Sequence, residues 1–144
     1  MNKLFSIFIF SLFLIPFSYS QTSIFGKWKT IDDETGEAKS IVEIFQKGDK
    51  AFGKIIEILD KEKPTPVCDK CDDDDPRKGQ KILGMEIIKD LEKDDDEWDD
   101  GTILDPENGK VYRCKMWVED KKLIVRGYIG ISLIGRSQTW LSVN

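Results

Sequence analysis

From Ile24 onward, apolar and polar side chains alternate over short runs separated by turn chemistry, and no long stretch repeats at helical spacing. Period-two alternation puts every second side chain on one face. That is the mark of a half-buried strand, and β-branched and aromatic residues fill the apolar positions here. The runs predict strands at 24–31, 38–46, 51–59, 82–91, 101–104, 111–118, 122–130 and 136–143. The later half of the fourth run also reads as helix, and the almost wholly charged stretch 93–100 reads as a loop. Lys47-Gly48-Asp49-Lys50 and Asp105-Pro106-Glu107-Asn108-Gly109 are turns, with proline fixing φ and Asn-Gly accepting positive φ.

Eight consecutive strands with mostly short links predict an all-β, up-and-down antiparallel barrel. Closure removes the exposed sheet edges, and a barrel of this size can hold one small ligand or be filled by its own side chains. A two-sheet sandwich of the same strands is the rival architecture. In the barrel, the 32–37, 60–80, 105–109 and 130–135 connections share one end, the expected mouth, with 60–80 as its lid.

The chain opens MNKLFSIFIFSLFLIPFSYSQ. Lys3, a short apolar centre and Ser18 and Ser20 ahead of Gln21 together read as a secretory signal peptide over residues 1–20, leaving 21–144 as one domain. The apolar part is shorter than the ~20 residues a spanning helix needs. The expected location is therefore exported, periplasmic or extracellular. A net charge of −5 argues against nucleic acid or anionic lipid as the main partner. The absence of histidine removes Ser-His-Asp and Cys-His catalysis and the usual His-bearing zinc sites.

Of the three cysteines, Cys68 and Cys71 form a Cys-x-x-Cys within the lid segment. The βαβ setting of a thioredoxin-like site is missing, so a structural disulfide is expected, with a pairing of Cys114 to either one as the alternative. The acidic runs 72–75 and 94–100 lack the spacing of a calcium loop and are expected to be solvated, with no metal or cofactor bound.

Gly26-Lys27-Trp28 is similar to the Gly-x-Trp that opens the first strand of lipocalins and related calycins. The ordered set GKWKT, EAKSIVEI, FGKI, CDKC, GTILDPENGKVY, VRGYIG and GRSQTW resembles the exported bacterial family called domain of unknown function 2147, over residues 26 to 140. This resemblance implies a lipocalin-like barrel, with Gly26 and Trp28 as structural residues, and no assigned activity. Lipocalins place a basic residue near the end of the last strand, over that tryptophan. Here the chain ends Trp140-Leu141-Ser142-Val143-Asn144, without one.

Two arginines remain to be placed. Arg126 is expected level with Trp28 and Trp140, where a guanidinium over an indole contributes about 0.5–2 kcal/mol. The rival reading has Arg126 and Tyr128, two apart and so on one side of their strand, facing inward to hold a carboxylate, an arrangement similar to that of fatty-acid-binding barrels. A third reading puts both on the outer face. Arg136, at the start of the last strand, is expected at the mouth.

The expected function is a non-enzymatic barrel binding a small apolar or amphipathic molecule with a carboxylate, through Arg126, Tyr128, Arg136 and Trp140. The alternatives are a structural or interaction module of the cell envelope with a solid interior, and a glycosidase-like enzyme using Glu43, the one acid inside an otherwise apolar strand segment. No protein partner is indicated.

Overall fold

A computed structural model describes residues 23–62 and 66–143. The signal-peptide segment lies outside the described residues. Eight strands follow in chain order: β1 (Gly26–Ile31), β2 (Ala38–Lys47), β3 (Lys50–Ile58), β4 (Glu86–Asp94), β5 (Glu97–Asp105), β6 (Lys110–Glu119), β7 (Lys122–Tyr128) and β8 (Gly135–Ser142). Each pairs antiparallel with the next, and β1 pairs with β8, so the sheet is a closed eight-stranded barrel. The sandwich is excluded.

The closing seam is short. Trp28 faces Ser142 and Lys29 faces Leu141, and the Val143 amide donates to the Lys27 carbonyl at 3.0 Å. By contrast, β7 pairs with β8 along its whole length, from Lys122↔Leu141 to Tyr128↔Gly135.

The alternation seen in the sequence sorts side chains into two faces. Val42, Ile44, Ala51, Ile55, Ile88, Cys114, Met116, Leu123, Val125 and Trp140 point inward and are buried. The base is packed solid. The Trp28 indole N–H donates to the Ile24 carbonyl at 2.7 Å, and Phe25 meets Trp98 edge-on with ring centroids 5.3 Å apart. Ile24 and Phe25, placed in the first strand by the sequence, instead precede β1 and help close the base.

The stretch 93–100 is not a loop but the turn and flanking halves of the β4–β5 hairpin, with Asp94 opposite Glu97. Its acids lie on the outer wall and in the turn, while Trp98 turns inward and is 7% exposed, with the ammonium of its cross-strand partner Lys93 5.6 Å from the ring centroid. Charge-rich composition hid the strands because the single buried residue there carries most of the pattern. The fourth strand likewise begins at Glu86 rather than 82, since residues 82–85 belong to the long connection. The 119–122 hairpin turns on Asp120 and Lys121, at φ 50° and 62°, the paired positive φ of a tight two-residue turn.

The long β3–β4 connection is tied at several points. Gly84 N–H donates to Ile55 O at 2.7 Å, Ile55 N–H to Met85 O at 3.0 Å, and Cys68 N–H to Gln80 O at 2.9 Å. Its Cys68, Cys71, Ile82 and Met85 join one buried apolar cluster with Ile87 and Leu104. The inward Ile103, paired with Ile88 and Tyr112, sets the neighbouring Leu104 on the outer face, where it is nonetheless fully buried. The connection therefore also covers the outer wall beside the mouth, more than the lid expected over the opening.

Candidate functional site at the barrel mouth

Strand directions bring the four predicted connections to one end, where Lys39, at the start of β2, gathers three of them. Its ammonium lies 3.7 Å from Asp32, 3.6 Å from Asp60 and 3.8 Å from Glu107, one carboxylate from each of three connections. The Lys39 pKa is raised, chiefly by Glu107 and then by Asp60 and Asp32, against the opposing effect of burial. Asp32 also accepts the amides of Glu34 and Thr35 at 2.9 Å each. Those bonds hold its carboxyl below the usual range, assisted by Lys39.

A cleft of about 490 Å³ opens beside Lys39. The inward-facing Ser40, Ile55 and Ile58 form one side; Pro66, Val67, Asp69, Lys70 and Ile82 of the long connection, with Pro106 and Glu107 of the β5–β6 turn, form the other. Ser40 is 8% exposed, the one buried polar residue among those described, and its hydroxyl lies 2.9 Å from that of Thr30. The site thus combines aliphatic walls with hydroxyls and two ammonium groups. A trough of about 780 Å³ lies on the other side of the connection, lined by Arg77, Lys81, Leu83 and Lys89 among others. It is a broad surface depression and includes no inward-facing strand residue.

The connection itself is built for rigidity. Cys68 and Cys71 are joined by a disulfide and are 0% and 1% exposed. Lys78 caps the Cys71 carbonyl at 2.8 Å. The Arg77 guanidinium grips Asp75 through Nε at 2.9 Å and a second nitrogen at 2.7 Å, and donates to the Glu86 carbonyl at 3.1 Å. This fork holds the Asp75 carboxyl at about 2.

The residues singled out in the sequence separate. Arg126 and Tyr128 do share a side of β7, and it is the outer one: Arg126 pairs with Lys115 and Ser137, and Tyr128 with Arg113, while Leu123, Val125 and Gly127 face inward. Arg126 donates to Ser132 O at 2.7 Å, to the Ser137 hydroxyl at 3.0 Å and to Leu133 O at 3.4 Å. It is neither a cover for Trp28 or Trp140 nor a group inside the barrel, because the β7 register sets it outside and three residues nearer the mouth than Leu123, Trp140's partner. Tyr128 donates to Asp99 at 3.0 Å beneath the Arg113 guanidinium, 5.6 Å from the ring centroid.

Arg136, Gln138 and Trp140 share the inner side of β8. Arg136 stands at the rim, as expected, and its guanidinium bonds Asp33. Trp140 is 2% exposed at the base, with its indole N–H on Gln138 at 3.2 Å, out of reach of anything in the cleft. Sequence reasoning missed Lys39, Ser40 and Lys70. Nothing in the local pattern sets one lysine apart from another, and their meeting depends on the path of the long connection.

Glu43 lies on the outer wall, 3.6 Å from Lys54. Cys114 is a buried free thiol, its ionisation suppressed by desolvation and secondarily by Asp99. Among the described residues no three cysteine or acidic side chains are grouped to hold a metal ion, and no helix is long and apolar enough to cross a membrane.

Comparison with known proteins agrees with this architecture. A solved structure titled "Protein HP1028 from the human pathogen Helicobacter pylori belongs to the lipocalin family" superposes with a TM-score of 0.72 at 18% identity, over 85% of this chain and 84% of that one. At that identity the likeness concerns the fold. No curated protein matches. The model of the family described as "Uncharacterized protein conserved in bacteria (DUF2147)" matches residues 26–142, from the start of β1 to the end of β8, and the chain belongs to that family.

Proposed function

We propose that the chain is an exported, non-enzymatic binding barrel that takes a small amphipathic molecule bearing an anionic group in the mouth cleft. The observation that carries this reading is the cleft's composition. About 490 Å³ falls within the range of small-ligand pockets, and Ile55, Ile58, Ile82 and the two prolines supply apolar wall. Lys39 and Lys70 stand at its edge as cations for a carboxylate or phosphate. Lys39 is already shared among three carboxylates, so Lys70, for which no carboxylate lies within 4 Å among the described residues, is the stronger receptor. The buried Cys68–Cys71 disulfide supports an oxidising compartment.

Native mass spectrometry of the protein as purified, followed by titration with a medium-chain fatty acid and its alcohol, tests this. Binding of the acid over the alcohol, weakened about tenfold in Lys70→Glu, is the expected result. No copurifying molecule and no binding of either probe would discard it. The packed base, with Trp28, Met116, Leu123 and Trp140 all at most 4% exposed, favours the second reading, a module of the cell envelope that acts through its surface. That reading gains if the cleft takes no ligand.

A further inference from the structure

The β7–β8 hairpin breaks the character of the surface around it. Charged residues make up 34% of the sequence, yet none occurs from Gly127 to Gly135. In their place Ile129, Ile131, Leu133 and Ile134 are 68%, 59%, 85% and 68% exposed. An aliphatic group that exposed loses hydrophobic free energy as long as it stays in water, and four on one tip mark a surface with something to meet.

The carbonyls of the tip find donors within the protein. Ile134 N–H donates to Ile131 O at 3.0 Å, and Ile129 N–H to Ile134 O at 3.4 Å. Arg126 reaches up the outer wall and takes the two carbonyls between them, Ser132 O and Leu133 O. Four consecutive carbonyls, residues 131 to 134, thus have donors inside the protein. Internal partners lower the cost of taking those carbonyls out of water, whereas the amides of residues 130–133, without an internal acceptor among the described residues, need partners at headgroup level. Arg126 and Arg136 flank the uncharged stretch, where long cationic side chains can extend to a polar boundary while the aliphatic tip goes beyond it.

We propose that the 129–134 hairpin is an interfacial anchor that inserts its four aliphatic side chains into a zwitterionic lipid surface, with Arg126 and Arg136 at headgroup level. The inference is independent of the cleft and its ligand. Charge favours lipid over a second copy of this chain. The neighbouring Asp32-Asp33-Glu34 turn, joined to the hairpin through Arg136 and Asp33, would be brought against its own kind in a symmetric pair, whereas neutral headgroups carry no net charge to repel it. A narrow tip also falls short of the ~800 Å² per partner that a stable dimer buries.

Leu133→Cys carrying an environment-sensitive fluorophore tests the idea, because Cys114 is buried and Cys68 and Cys71 are paired. With phosphatidylcholine–phosphatidylethanolamine vesicles, the label should shift to the blue and brighten severalfold. The same label at Leu141→Cys, near the opposite end of β8, should not respond. Adding Ile131→Ser and Ile134→Asp to the labelled protein should weaken vesicle affinity at least about tenfold. An unresponsive label at 133, a response untouched by those substitutions, or a blue shift that follows protein concentration without vesicles would each overturn the proposal, the last by revealing a second copy as the occupant.

Discussion

Lys70 and Gly109 meet backbone to backbone: a Cβ on Gly109 would lie 1.8 Å from the Lys70 carbonyl oxygen. Gly109 also holds a φ of 73°, in the left-handed region that side chains resist. The turn that carries the disulfide is therefore seated directly on the β5–β6 turn, and together they set one side of the cleft. Gly109→Ala should unseat it at a cost above about 2 kcal/mol. Chemical denaturation would measure the loss, and faster hydrogen exchange at the Cys68 amide would show where it falls.

Trp140 is the largest side chain fully buried in the barrel, and its truncation leaves a void in a closed wall. Trp140→Ala is expected to cost about 3–5 kcal/mol, while Trp140→Phe should cost less and leave cleft binding intact. Urea denaturation of the two variants separates a packing role from contact with ligand.

The Asp75–Arg77 fork makes a prediction about acid. The Asp75 carboxyl is held at about 2, chiefly by Arg77, below the 3.8 of a free aspartate. A lowered pKa stabilises the fold above the unfolded value and ceases to do so as pH falls through the folded one. The fork should therefore contribute up to about 2 kcal/mol above pH 4 and lose it between about 4 and 2. Arg77→Ala should remove that contribution at neutral pH and flatten the acid limb of a stability profile.

Reduction supplies a further test. The Cys68–Cys71 bridge closes a short loop, so the loop-closure account gives about 2 kcal/mol at most. A Cys68→Ser, Cys71→Ser variant should keep the barrel and its near-ultraviolet tryptophan spectrum. It should expose residues 66–82 to proteolysis much faster than the parent.

The barrel was legible because its cause is local. Period-two alternation and turn residues are written along each strand, and β6, β7 and β8 follow them within one or two residues. The hairpin 94–97 was hidden because its buried contribution rests on Trp98 while acids crowd the outer wall. The choice of faces for Arg126 and Tyr128 was harder still. Both registers of β7 offer an acceptable apolar set, and what decides is that Leu123 and Val125 fill the interior better than a guanidinium. The cleft could not be read at all, since Lys39, Asp60, Lys70 and Glu107 meet through the path of a long connection. Arg136 was placed by topology alone, as the first position of the last strand.

The short β1–β8 seam gives that arginine a second meaning. Backbone pairing across it is confined to residues 27–29 and 141–143, so toward the rim β8 is laddered to β7 alone. A nominally edgeless cylinder thus keeps a slit in its wall, the kind of unpaired border along which a stray strand can add. The Arg136–Asp33 clasp spans that slit with side chains where the main chain does not. It places a charge on the border, and natural sheets use charged borders of this kind to turn intruding strands away.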